Sequence, residues 1–524
     1  MGRQPLGGAI AAGHPLTAEA GLEMLRQGGN AFDAAAAAVL TSWVVESPLT
    51  SPAGGGFLLA YTADRQAQLF DFFTQTPRQR RSPPLDFYPV GVNFGGAVQE
   101  FHIGLASMAV PGALKGIHAV HQRLGRLPFA AVAEPAIHYA EGGVALNDFQ
   151  AYCLQILAPI LTASTEGRAI YAPQGSLAQA GDVLHFRDLA ETLRGWANHG
   201  IEGLYQGEMA HQLAADCRQG GGHLSLEDLT RYQVQARSPL QIRYRGHTLL
   251  TNPPPSSGGA LIAFALALLE TQDLGAMGFG SDRHLATLAT AMALTNAARK
   301  DGYDDHIHSA DIAQRFLGLD HVQPYQAELT NAVNRWGSTT HISVLDAEGN
   351  AASVTTSNGE GSGYLIPGTG IMVNNMLGEE DLNPAGFHRW AENVRMSSMM
   401  APTLVLREGR PEVVLGSGGS NRIRTAILQV ISNILDFGMA APAAVSSPRI
   451  HWEQGRLSLE PGFDPGAVER LARYRPAIAQ EQTQWQAPSM FFGGVHTVMA
   501  QAGDRFAGAG DERRSGVFLA DSFS

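Results

Sequence analysis

The chain has 524 residues, 44% of them hydrophobic and 16% charged, with a formal net charge of -12. That balance is ordinary for a folded globular protein, and the negative charge argues against nucleic-acid binding, because phosphate recognition needs a basic face. No stretch reaches the roughly 20 unbroken apolar residues of a membrane span, so no membrane partner is expected; the apolar run Ala31 to Val45 is too short and contains Asp33.

The length exceeds what one compact core usually holds, which leaves several units or one large layered domain. Met1 to Pro15 shows no charged leader followed by an apolar run, so a cytoplasmic protein is expected, with a periplasmic one open if the chain has been trimmed. Apolar residues at Ala20, Leu22 and Leu25 predict a first helix from Thr17 to Leu25, with Thr17 as N-cap and Gly28–Gly29 as the stop. Asn30 caps a second helix, Ala31 to Val45, whose alanines suit burial against a neighbouring layer. Alternation from Phe57 to Phe72 around a polar turn at Asp64–Arg65 predicts a β-hairpin. The region from Pro111 to Leu317 reads as largely helical, for example at Ala113 to Leu124, Glu208 to Cys217 and Ala260 to Leu269. Beyond a loop at Asn334 to Ser338 the pattern changes to strands, at His341 to Leu345, Ala351 to Thr356, Ile371 to Val373, Thr403 to Leu406 and Val413 to Leu415. A helix follows from Asn421 to Phe437. Strands flanked by helices suggest two sheets packed face to face and covered by helices on both sides.

Cys153 and Cys217 fall into no metal-ligand spacing, and His306–Ile307–His308 beside Asp304–Asp305 is a poor ligand set, so no metal is expected. The informative stretch is Ser338–Thr339–Thr340–His341, where a loop runs into a strand that turns at Asp346 to Asn350 and returns to Ser357. A threonine hydroxyl needs a base beside it to act as a nucleophile. An α-amino group, with an unperturbed pKa of about 7.7–8.0, serves when the threonine is first in its chain. Such an enzyme must first break its own Ser338–Thr339 bond: the Thr339 hydroxyl attacks the Ser338 carbonyl, and water opens the resulting ester. Threonine pairs are common in strands, so this motif alone identifies no nucleophile. His341 reads as a strand residue satisfied by hydrogen bonds, with no proton-transfer role.

Other motifs surround it in a fixed order: Gly28–Gly29–Asn30–Ala31–Phe32–Asp33–Ala34, Gly54–Gly55–Gly56–Phe57, Val110–Pro111–Gly112 and Pro253–Pro254–Pro255–Ser256–Ser257–Gly258–Gly259. Then come Ser397–Ser398–Met399, Gly416–Ser417–Gly418–Gly419–Ser420 and Asp511–Glu512–Arg513. As an ordered set they resemble the γ-glutamyltransferase family of N-terminal-nucleophile (Ntn) hydrolases nearly from end to end. The resemblance implies an α+β fold, a four-layer αββα sandwich with a largely helical middle region. It implies that residues 1–338 form a large subunit and 339–524 a small subunit, interlocked as one domain. Thr339 matches the family nucleophile, Ser338 and Thr339 flank the cleavage site, and Ser357 matches a hydroxyl that bonds the nucleophile and the new amine. Gly418 and Gly419 resemble the pair whose backbone N–H groups form the oxyanion hole, a role that suits glycine because backbone must approach the tetrahedral oxygen closely. A gap-free alignment shifts that pair to Gly419–Ser420, and both assignments stay open at this point. Ser397 and Ser398 match the serines that bind the substrate α-carboxylate, and Glu379 falls where the family has an aspartate that binds the α-amino group. The resemblance implies no cofactor, a small-molecule amide as partner, and a heterodimer made from one chain, with a higher oligomer left open.

Three positions depart from the family pattern. Phe73 stands where members acting on γ-glutamyl compounds usually carry an arginine that holds the substrate carboxylate bidentately. Gly359 replaces an asparagine and Met376 a glutamine. Arg78 or Arg80, further along the loop, is a candidate for restoring the carboxylate contact. The leading expectation is an amidohydrolase or acyltransferase that cleaves γ-glutamyl amides such as glutathione. An acylase for other aliphatic or aromatic amides is the alternative that Phe73 and Met376 favour, and an unprocessed, non-catalytic binding protein is a third reading.

Overall fold

Buried alanine sets the thickness of the first helical layer. Every residue of α2 (Ala31–Val45) is buried, as a helix that is apolar all round requires. Asn30 starts it through a capping box: its side chain accepts from the Phe32 and Asp33 amides, and Asp33 accepts in return from the Asn30 amide. Asp33 also accepts from the amides of Arg126 and Leu127, so the same carboxylate anchors the turn after α3 (Ala113–Leu124). The first helix, α1 (Pro15–Arg26), begins two residues earlier than Thr17. His14 is its cap, with the ring accepting from the Leu16 amide at 3.2 Å, and Pro15 fills the first turn, where a missing N–H costs nothing. Thr17 is inside the helix, and its hydroxyl turns instead to Glu46.

The computed structural model describes residues 7–93, 98–327, 339–383, 385–474, 481–502 and 505–521; Ser338 and the loop 334–338 therefore lie outside the described residues. Before that loop come strands β1 (Gly8–Ala12), β2 (Gly55–Tyr61), β3 (Ala67–Asp71), β4 (Gln235–Arg237), β5 (Leu240–Tyr244) and β6 (His247–Thr251). After it come β7 (Thr340–Asp346), β8 (Ala351–Ser357), β9 (Thr403–Arg407), β10 (Arg410–Gly418), β11 (Gly494–Gln501), β12 (Arg505–Ala509) and β13 (Val517–Asp521). They form a seven-stranded sheet in the order β13-β1-β7-β8-β2-β3-β4 and a six-stranded sheet in the order β12-β11-β10-β9-β6-β5. Every pairing is antiparallel.

The sheets face each other through β7 and β8 against β10, and helices cover both outer faces, which makes the architecture a four-layer αββα sandwich. α1 and α2 lie on the first sheet, and α5 (Ser257–Leu269), α6 (Asp282–Ala298) and α7 (Arg422–Leu435) belong to the second helical layer; α4 (Phe129–Gly142) packs on α2. Strand alternation divides the core accordingly. Ile10, Ala12, Ile342 and Val344 join the helix-side cluster, whereas Ala9, Ala11 and Leu345 join Leu404, Val405 and Val414 between the sheets and beyond. The middle of the chain is largely helical, but it also contains β5 and β6, a hairpin that the periodicity did not predict. Its turn, Arg245–Gly246, is left-handed at both residues, with φ of 48° and 78°.

Candidate active site

Alternation along β7 distributes its polar residues to opposite sides. Thr340 points to the helical layer, where its hydroxyl donates to Glu46 Oε2 at 2.6 Å. Thr17 donates to the other oxygen of the same carboxylate at 2.8 Å. Burial pushes the Glu46 carboxyl upward, and the two hydroxyls partly offset that. His341 points between the sheets, its two ring nitrogens bonded to Thr355 Oγ1 at 2.8 Å and Ser343 Oγ at 2.9 Å. Its pKa is held well below the usual histidine value by burial and by neighbouring His496. Gly416 makes room for it: a β-carbon there would meet the ring at 2.2 Å. The histidine is thus part of a satisfied inter-sheet network.

Thr339, 4% exposed, immediately precedes β7. Thr340 pairs with Thr356 in the β7/β8 register, so the next position on each strand brings Thr339 opposite Ser357, and both line one cavity. The Ser357 hydroxyl accepts from the Gly359 amide at 3.0 Å. The carbonyl oxygen of Thr339 accepts from Arg514 Nη1 at 3.1 Å, and Gly418 packs against that carbonyl so closely that a β-carbon would lie 2.1 Å from it. Arg514 is buried, which lowers its pKa from the ordinary arginine value. Neither Arg514 nor Glu46 was singled out from the sequence. Their roles depend on contacts 175 and 294 residues apart along the chain.

The glycine-rich segment after β10 is a tight turn into α7. Gly419 and Ser420 have φ of 121° and 48°, and their carbonyls accept from the amides of Arg422 and Ile423 at 3.0 Å each. Ser420 and Asn421 line the cavity, and the Ser420 hydroxyl donates to Asp381 at 2.9 Å. Gly418 belongs to the strand, opposite Gly494.

The remaining predicted residues divide into those that line the cavity and two that do not. Phe73, Met376, Glu379, Ser397 and Ser398 line it, with Arg299, Asp381, Leu382, Met399, Met400 and Ile423. Phe73 is buried and stacked on Phe57, with centroids 5.3 Å apart. Ser397 Oγ is 3.2 Å from Ser257 Oγ. The Ser398 carbonyl accepts from the Ser257 amide and the Ser256 hydroxyl, so the segment after the triple proline buttresses the serine pair. Glu379 occupies space that Gly359 leaves: a β-carbon at 359 would sit 2.1 Å from Glu379 Oε1 and 2.2 Å from Asn375 Oδ1. The glycine at 359 and the carboxyl of Glu379 are therefore packed into one space. Burial, with Glu360 and Asp381 nearby, pushes the Glu379 carboxyl well above its ordinary value.

Arg78 does not line the cavity, and neither does Arg80. The loop is drawn away by its own contacts: the Arg78 amide donates to Asp228 at 2.7 Å, and Arg80 donates to Glu392 and to the His388 carbonyl. The cation among the described lining residues is Arg299, which the sequence reading missed because it lies at the end of a helix far from every motif. His306, considered for a metal, is exposed and bonded to the Gly302 carbonyl.

The chain matches the Gamma-glutamyltranspeptidase family over residues 17–520. It is 32% identical over 534 residues to the Acylase ACY 1 proenzyme of Pseudomonas sp., covering 98% of this chain and 94% of that protein. It is 28% identical over 516 residues to the Glutathione hydrolase proenzyme of Escherichia coli, covering 93% and 88%. Among solved structures, cephalosporin acylase from Bacillus halodurans has the same fold, with a TM-score of 0.85 and 24% identity over 100% of this chain and 97% of that one. The gamma-glutamyltranspeptidase of Helicobacter pylori gives a TM-score of 0.54 and 28% identity over 60% of this chain and 89% of that one. With the family match spanning almost the whole sequence and two relatives that are themselves proenzymes, this chain belongs to the gamma-glutamyltranspeptidase family of Ntn hydrolases.

Proposed function

We propose that the chain is a proenzyme that cuts itself before Thr339 into residues 1–338 and 339–524. The mature Thr339 then cleaves γ-glutamyl amides such as glutathione and passes the acyl group to water or an amine. The observation that carries this reading is the position of Thr339 at the mouth of β7, opposite Ser357 and against the turn that follows β10. In the first reaction Thr339 Oγ attacks the carbonyl carbon of residue 338, the C–N bond breaks, and the nitrogen takes the hydroxyl proton. Water then hydrolyses the ester, which frees the Thr339 hydroxyl beside the amine already released and leaves residue 338 ending in a carboxylate. In the second, the free amine takes the Oγ proton, Oγ attacks the substrate amide carbon, and the resulting ammonium protonates the leaving amine. Water or an acceptor amine opens the acyl ester.

Of the two glycine assignments, Gly419–Ser420 is the better oxyanion pair, because Ser420 lines the cavity at the head of α7 whereas Gly418 is held in the ladder. Glu46 and Arg514 hold the segment that carries the nucleophile, one through Thr340 and one through the Thr339 carbonyl. The acylase reading is favoured by the apolar wall of Phe73, Met376 and Met400 and by the relatives named as acylases. Purified protein run on a denaturing gel, with N-terminal sequencing of the smaller band, should give two bands and a first residue of Thr339. A panel of γ-glutamyl and uncharged acyl 4-nitroanilides should show preference for the first. A single intact band in an active preparation refutes the mechanism, and preference for uncharged acyl groups transfers the assignment to an acylase.

A further inference from the structure

The cavity beside Thr339 is lined by the carboxyl groups of Glu379 and Asp381, and Arg299 is the cation among its described lining residues. Arg299 follows α6, so it reaches the cavity from the second helical layer and not from the early hairpin that carries Phe73. Its guanidinium is fixed through one edge: Nε lies 2.9 Å from each oxygen of Asp304. Neither Nη group donates a hydrogen bond to a described residue, and the side chain is 21% exposed, so it is open to a solute. A guanidinium tethered at Nε keeps its Nη pair available for a planar carboxylate.

We propose that Arg299 is the specificity residue for the acyl group, binding its distal carboxylate while Glu379 and Asp381 face its ammonium. The acyl group is then one that ends in an α-amino acid head, and Arg299 supplies the charge that is absent at Phe73. This assignment rests on the reading of Thr339 as the nucleophile of a γ-glutamyl amidohydrolase.

The test compares the 4-nitroanilides of γ-glutamate, glutarate and butyrate with the wild-type protein, Arg299→Gln and Arg299→Lys. Glutarate keeps the carboxylate without the amine, and butyrate has neither. Removing a charge-assisted contact should lower the preference for γ-glutamyl over butyryl amide by about tenfold or more. The change should come through KM of both acid substrates, with lysine restoring part of it. Equal loss on all three substrates assigns Arg299 to structure, through its pair with Asp304, and overturns the proposal. An unchanged KM for γ-glutamyl amide in Arg299→Gln overturns it while leaving the γ-glutamyl reading intact. A wild-type protein that leaves both acid amides uncleaved overturns that reading and this assignment with it.

Discussion

Substituting Gly418 by alanine should disable the chain through one atom. The added β-carbon would lie 2.1 Å from the Thr339 carbonyl oxygen, 2.9 Å from its carbonyl carbon and 3.2 Å from Arg514 Nη1. Ordinary contact begins at 3.4 Å, so one partner has to withdraw by more than about 1 Å, a displacement large enough to cost about 10²-fold in rate at a reacting centre. Gly418 is fixed in the ladder opposite Gly494, and the residue after Thr339 is tied to Glu46, so the strain falls on Thr339 itself. Overpacking of this kind costs about 1–3 kcal/mol of stability, which a large folded enzyme tolerates more readily than its active site does. Gly418→Ala should therefore fold, shown by a cooperative melt, yet process slowly on a time-resolved denaturing gel. Any processed fraction should hydrolyse γ-glutamyl-4-nitroanilide about 10²-fold more slowly. Gly195→Ala is the control, since a β-carbon there meets nothing within 4 Å, and it should match the wild type. Normal processing and turnover in Gly418→Ala would refute the placement of the Thr339 carbonyl against this strand.

Thr339→Ala should remain a single band indefinitely, because no hydroxyl is present to open the preceding bond, while Thr339→Ser should process, though more slowly; intact-mass spectrometry of both distinguishes this from cleavage by a contaminating protease. Asp511 gives a pH prediction. Burial would raise its pKa, but Arg449 at 2.6 Å, with Arg513 and the Val495 amide, outweighs burial and holds the carboxyl at about 2, against 3.8 in the unfolded chain. A depressed folded pKa means stabilisation that is complete above 3.8 and lost as the pH falls toward about 2, worth about 2 kcal/mol at neutral pH. In the uncut Thr339→Ala background, the stability gap between Asp511 and Asp511→Asn should be constant from pH 7 to pH 5 and shrink below pH 4, as read by urea denaturation. A gap independent of pH removes the ion pair from the explanation.

What the sequence reveals here is local, and what it hides is long-range. The Asn30/Asp33 capping box and the β7/β8 hairpin follow from neighbours in sequence, and the hairpin's register, which pairs Thr340 with Thr356, sets Thr339 across from Ser357 just beyond the ladder. The cap of α1 was misassigned because a histidine before a proline is a weaker cap signal than a threonine, although the ring nitrogen accepts as well. Arg299 was invisible because only packing brings the end of α6 to the cavity. Arg78 and Arg80, further along the loop from Phe73, are the local candidates, and that loop is committed to Asp228 and Glu392. The contact between Gly359 and Glu379 is not legible in the sequence, since the two lie in separate motifs and only the fold brings the carboxyl against the glycine.

Sheet order explains why the proposed cut would not separate the two pieces. In the seven-stranded sheet β1, from the first piece, lies between β13 and β7, both from the second, and β8 of the second piece pairs with β2 of the first. The six-stranded sheet is joined in the same way where β9 meets β6. Separation would break four antiparallel ladders and expose buried backbone donors and acceptors along each. The cut itself breaks none of them, because the ladder of β7 begins at Thr340, one residue after the new terminus. The proposed cut would therefore free an amine at the edge of the cavity while Thr340 and its bond to Glu46 keep that residue in place. In the proposed mechanism this arrangement would let one threonine serve first as the residue that opens its own chain and then as the residue that opens a substrate.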